Sequence, residues 1–239
     1  MIRIYSGKLT WFDYASNETI FFVFPNGFEV GKEVYVYTQW TRDGGGRQNS
    51  NFFSKGHIDV DNIATDGQRN IGFCYEGYYK FDATLSGDQS TLTFIMRNPL
   101  NERSTPNAAV KTKFESDSSD YIIYSGKYND SPDAVNELFV VVISPDISYK
   151  SDIAVLWQWT SHDTITKGPH VTVGKVTYFQ QSAAAIKIDF INEAADYKFT
   201  ASTEGEEITN LQIRISNSAQ DLDTKTPQRL ILHGRSREV

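Results

Sequence analysis

Apolar and polar residues alternate along much of this 239-residue chain. Tyr79, Phe81, Ala83 and Leu85 take one side while Lys80, Asp82 and Thr84 take the other, and Leu211, Ile213 and Ile215 alternate with Gln212 and Arg214. A period of two is that of a strand with one face on a core. In the first half the pattern predicts strands at 2–9, 19–24, 33–41, 57–63, 70–76, 78–86, 91–98 and 108–114. Turn chemistry separates them, with "PNG" at 25–27, "SGDQS" at 86–90 and its counterpart "TEGEE" at 203–207. No segment sustains a helical period, and "SAAA" at 182–185 is one turn at most.

The pattern also repeats. "IYSGK" occupies residues 4–8 and returns at 123–127. The same offset carries Asn17-Glu18 onto Asn136-Glu137 and Gln39-Trp40-Thr41 onto Gln158-Trp159-Thr160. After a shorter loop, "KGHIDVDNI" (55–63) aligns with "KGPHVTVGKV" (167–176), which pairs His57 with His170. Tyr79-Lys80-Phe81 then matches Tyr197-Lys198-Phe199, and Thr105-Pro106 matches Thr226-Pro227. Matches in one order, with the offset drifting only at loops, mark an internal duplication. The polar stretch "ESDSSD" sets the boundary, giving a first repeat at 1–115, a short linker at 116–120 and a second repeat at 121–239.

Hairpin spacing in an all-β chain predicts two tandem domains of about eight antiparallel strands, each a β-sandwich or an up-and-down β-barrel. Strands two and three break the simple alternation. "IFFVF" (20–24), "LFVVVI" (138–143) and "IAVLW" (153–157) are apolar on both faces, and "VYVYTQW" (34–40) sets valines against tyrosines. A strand apolar on both sides is covered on both sides. The expectation is an intramolecular pairing of the two domains through these strands about a pseudo-twofold, or, failing that, a homo-oligomer interface.

Bulk properties narrow the function classes. A net charge of −7 without a basic stripe disfavours nucleic acid. The longest apolar run is "LFVVVI", far short of a transmembrane helix. One cysteine, Cys74, permits no internal disulfide, and no signal-peptide core opens the chain. The expectation is a cytoplasmic protein, or one secreted without a visible leader. On that basis the acceptor patterns at Asn17 and Asn129 read as accidental.

Candidate chemistry gathers on loops. "TRDGGGRQNSNFFSKGH" (41–57) carries Arg42, Asp43, Arg47 and Asn49 around three glycines, where its counterpart at 160–170 is shorter and lacks the glycine cluster. Arg, Asp and Asn side chains grip sugar hydroxyls, and glycine admits close backbone approach. The competing reading is a plain surface loop that tolerated insertion. Trp40 and Trp159 occupy matching positions, as stacking platforms or as core, and Trp157 shares a face with Trp159. Trp11, Phe12 and Tyr14 fall in "TWFDYAS" between strands, read either as a contact patch or as rings buried against the partner domain, whereas the second repeat has polar "YNDSPDAV" there. His57, Asp59 and Asp61 share one face of a regular strand and form a weak metal candidate against a plain solvated face, with no metal or other cofactor expected.

No nucleophile elbow, zinc-protease helix or phosphate-binding loop is present. The reading is a non-catalytic, carbohydrate-binding, lectin-like protein with loop-borne sites on a duplicated scaffold. Its first alternative is a small-molecule carrier or cyclase/isomerase with a pocket inside a barrel, lined by Trp40, Tyr75, Tyr79 and Trp159. The second is a structural subunit of a larger assembly.

Overall fold

The computed structural model describes residues 1–11, 14–40, 50–75, 79–114, 116, 120–130, 134–157, 170–182, 185–192, 194, 197–203, 210–217, 222–223 and 228–235. The chain divides into two compact units, Met1–Lys113 and Phe114–Val239. Among the described residues every regular element is a strand.

The first unit comprises β1 (Arg3–Trp11), β2 (Ala15–Phe24), β3 (Glu33–Trp40), β4 (Ser50–Ile63), β5 (Arg69–Tyr75), β6 (Tyr79–Leu85), β7 (Thr91–Arg97) and β8 (Asn107–Lys111). Each pairs antiparallel with the next, and β8 returns to β1, closing an up-and-down barrel. The second unit comprises β9 (Ile122–Asp130), β10 (Ala134–Ile143), β11 (Asp152–Trp157), β12 (His170–Gln181), β13 (Ile186–Asn192), β14 (Lys198–Thr203), β15 (Asn210–Asn217), the two-residue β16 (Leu222–Asp223) and β17 (Gln228–Arg235). Its ring runs β9 to β15 in order and closes through β17, with β16 hung on the end of β15. Both units are barrels, so the sandwich alternative falls.

The repeat holds at the level of register. Tyr5 lies opposite Phe22 and Gly7 opposite Ile20, and 119 positions on Tyr124 lies opposite Val141 and Gly126 opposite Phe139. Gly7 is required by closure. A β-carbon there would come within 2.1 Å of the Ala108 carbonyl oxygen, where the first and last strands meet. This gives the glycine of the repeated pentapeptide a physical reason, close backbone approach across the seam.

Aromatic rings fill the first barrel. Phe22 stands 5.7, 5.5 and 5.1 Å from Phe73, Phe81 and Phe94, each edge-on. Phe73 and Phe81 lie opposite one another on β5 and β6 and stack at 4.8 Å. The second barrel repeats that stack with Phe190 and Phe199 at 4.6 Å. Such pairs contribute about 0.5–1.5 kcal/mol beyond their burial.

One end of the first barrel is stoppered by the β2–β3 turn. Gly27 and Gly31 take positive φ (89° and 85°) and fold Phe28 back onto Phe24 and Tyr5. Burial pushes the Tyr5 phenol up to about 12, and its hydroxyl donates to the Gln89 carbonyl at 2.9 Å.

A bulge follows Ile58, which pairs with Phe73 while Val60 pairs with Gly72. The second barrel carries the same bulge, between Val176 opposite Phe190 and Tyr178 opposite Asp189. This register corrects the alignment of the histidines. His57 lies opposite Glu33 and Lys175 opposite Asp152, so His57 corresponds to Lys175. His170 lies opposite Trp157 as Phe52 lies opposite Thr38, so His170 corresponds to Phe52.

Candidate functional site

The connections β1–β2, β3–β4, β5–β6 and β7–β8 rise from one end of the first barrel, because an up-and-down order alternates strand direction. Trp11 is the last residue of β1, opposite Ala15, and is only 3% exposed. It therefore closes the core rather than forming an open patch between strands. Its ring meets Tyr14 at 5.3 Å and Tyr79 at 6.3 Å, both edge-on.

Tyr14 is half-buried, and its hydroxyl donates to Glu102 Oε2 at 3.2 Å. Glu102 is held in turn by Asn98, whose Oδ1 accepts the Glu102 amide at 2.9 Å. The β7–β8 connection is laced to β1 by Asn107, which accepts the Thr10 amide at 2.8 Å, and by Thr105, whose hydroxyl donates to the Thr10 carbonyl at 3.0 Å. The result is a ring edge and a carboxylate side by side on a tied rim.

The backbone of Trp40 pairs with Ser50 at this same end, where β3 stops and β4 begins. Arg42, Asp43, Arg47, Asn49 and Trp159 lie outside the described residues, as does the Trp40 side chain. In the second barrel Asp130 stands in the place of Trp11, opposite Ala134. Its end is filled instead by Trp157, edge-on to Tyr197 and Phe199 at 5.1 and 5.4 Å. Trp157 has the register position of Thr38, whose buried hydroxyl finds no partner among the described residues. Among the described residues one indole thus closes each barrel, from β1 in one and from β11 in the other.

His57, Asp59 and Asp61 do not share a face. His57 lies opposite Cys74 and points outward, and Asp59 reaches over Gly72 on the same side. The bulge then reverses the alternation and turns Asp61, opposite Ile71, inward. There it takes a two-pronged hydrogen bond from Arg69, Nε to Oδ1 at 2.6 Å and Nη2 to Oδ2 at 2.7 Å. That bond holds the Asp61 carboxyl below the usual range. A carboxylate so committed is a poor metal ligand, and the described residues contain no cluster of three metal-ligating side chains. Burial, then Asp59, pushes the Cys74 thiol up, which suits packing rather than nucleophilic chemistry.

The periodicity conceals a further concavity. A groove of about 470 Å³ crosses the outer wall of the first barrel over β4 to β7. Two cross-strand rows form it, Val60–Gly72–Asp82–Ile95 and Asn70–Thr84–Thr93, with Pro106 at the rim. The one sequence sign of it was Gly72, an isolated glycine inside a strand. A β-carbon at Gly72 would meet Asp59 Oδ1 and Val60 Cβ at 2.9 Å, so with those two side chains laid over it the position is tight.

Comparison with models of known protein families, with curated proteins and with solved structures finds no match.

Proposed function

We propose that the protein is a non-catalytic, lectin-like carbohydrate-binding protein whose first barrel carries the working site at its loop-bearing end. The observation that carries this reading is the rim just described. Tyr14 is half-buried against Trp11, with its hydroxyl on the Glu102 carboxylate. A ring with an apolar face beside oriented acceptors is what a sugar engages, C–H face on the ring and hydroxyls on the oxygens. The segment bearing Arg42, Asp43, Arg47 and Asn49 joins β3 to β4 at this end and would add donors.

The aromatic filling of the barrels favours a ligand on the outside over a carrier or isomerase pocket within. Duplication adds a second feature. Alternation turns Phe21, Val23, Tyr35 and Tyr37 of the first barrel, and Val140, Val142, Ala154 and Leu156 of the second, away from their own interiors. These outer faces are apolar within each barrel, in keeping with the doubly apolar runs of strands two and three.

A glycan array probed with the full chain and with Tyr14→Ala tests the function. The expected result is binding by the wild type that falls at least about tenfold in the variant, the loss of one aromatic anchor. Failure of the wild type to bind any glycan at high concentration would remove the reading.

A further inference from the structure

The outer-wall groove of the first barrel is floored at Gly72, over which the Asp59 and Val60 side chains lie, so that a β-carbon there would come within 2.9 Å of both. Its polar lining is short and ordered. The Thr84 hydroxyl donates to Asn70 Oδ1 at 2.9 Å, and Thr93 lies directly across from Thr84 with its side chain exposed. Asp82 lies between Gly72 and Ile95, and its charge is matched by Arg97. Val60, Ile95 and Pro106 supply apolar surface.

The second barrel has the same backbone there without these small residues. By register Tyr178, Asp189, Thr200 and Arg214 replace Val60, Gly72, Asp82 and Ile95, and Lys187, Ser202 and Gln212 replace Asn70, Thr84 and Thr93. Charged side chains, Asp189, Lys187 and Arg214, stand where the first barrel keeps glycine, asparagine and isoleucine.

We propose that this groove is a second ligand site, confined to the first barrel, that takes a neutral saccharide unit. Resting on the carbohydrate reading above, the inference adds a location and a charge class. The lining pairs hydroxyl and amide groups with an apolar floor and carries a single charge, the Asp82 carboxylate, which Arg97 engages from outside the lining. An anionic ligand would therefore find no counter-charge. A peptide adding as a strand would find no edge, because the barrel is closed. A pyranose presents what remains, a C–H face for Ile95 and Val60 and hydroxyls for Thr84, Thr93 and Asp82. The volume falls within the roughly 300–1,000 Å³ usual for small-ligand sites.

The test uses the full chain, isotope-labelled, titrated with methyl glucoside, methyl mannoside, methyl galactoside and N-acetylglucosamine, with backbone amide shifts as readout. The blocking variant is Ile95→Arg, which installs the residue the second barrel carries at the equivalent place, Arg214, on an outward-facing position. Shifts are expected at Gly72, Thr84 and Thr93 in the wild type and in Tyr14→Ala. They should weaken at least about tenfold in Ile95→Arg, the loss expected from blocking a small polar-apolar site. Sugar-dependent shifts confined to the Tyr14 rim, with Ile95→Arg titrating as wild type, would overturn the groove and leave the carbohydrate reading intact. No shift with any sugar anywhere would overturn both.

Discussion

The stoppered end of the first barrel and the same end of the second hold the same positions with opposite chemistry. In the first, Arg69 is forked onto Asp61, and both Arg69 and Arg3 lie over the Phe28 ring, at 5.3 and 5.0 Å. In the second, register puts Phe179, Ile186 and Ile122 where Asp61, Arg69 and Arg3 stand, and the repeat offset puts Ile147 in the place of Phe28. All four pack on the apolar core of the second barrel. One backbone therefore accommodates an ion pair capped by an aromatic ring, or a purely hydrophobic plug. The pair in the first barrel has every carboxylate oxygen satisfied, which is the condition under which taking charges out of water costs least. The lesson is that the scaffold specifies the inward direction of these side chains, through the bulge, and leaves their polarity open.

The largest expected effect breaks one partner of the ion pair. Arg69→Ala leaves Asp61 facing inward with its fork removed and should cost about 2–4 kcal/mol, less than for a fully buried pair because both side chains keep about a fifth of their surface exposed. The matching truncation, Ile186→Ala, removes only part of a half-buried aliphatic contact and should cost about 1–2 kcal/mol. Urea unfolding of both variants checks the order, and an Ile186→Ala cost exceeding that of Arg69→Ala would reverse the comparison.

Arg69→Lys keeps the charge but gives up the planar fork and the stacking on Phe28, for an expected loss of about 1 kcal/mol. A variant as stable as wild type would show that charge alone suffices.

The smallest effect is a pH dependence. Because Arg69 lowers the Asp61 carboxyl in the folded state, that contribution is present above the unfolded aspartate value near 3.9 and is lost as pH falls through the folded value. The deficit of Arg69→Ala relative to wild type should therefore narrow as the pH is taken from 6 toward 3. A deficit constant across that range in thermal unfolding would mean that the carboxylate is not what Arg69 stabilises.

Much of the scaffold was readable in the order of residues. The strands, the duplication and the hairpin turns follow from alternation and from Gly, Pro, Asn and Asp placement, which are local properties. What was not readable depends on register across strands. The bulge after Ile58 has no residue signature, yet it divides His57 and Asp59 from Asp61 and cuts the groove over Gly72. β4 begins at Ser50 rather than near His57 because "SNFF" was hidden in loop-like composition. Identity of "KG" aligns His57 with His170 in sequence, and only strand pairing separates them. Alternation alone ends the first strand at Leu9 and leaves Trp11 between strands, whereas β1 runs through it. The rim of Tyr14 and Glu102 joins residues 88 apart in sequence, a contact that no local pattern announces.

The two barrels set different interior residues on matching strand positions, and these residues are expected to exchange position for position. The decisive measurement is the unfolding free energy, with its pH dependence, of the double variant Asp61→Phe/Arg69→Ile, which gives the first barrel the second's residues at two of the four positions of the stoppered end. The expected result is a folded protein as stable as wild type or more so, by up to about 1–4 kcal/mol, with the acid sensitivity of this pair gone. A double variant less stable than Arg69→Ala alone would contradict it.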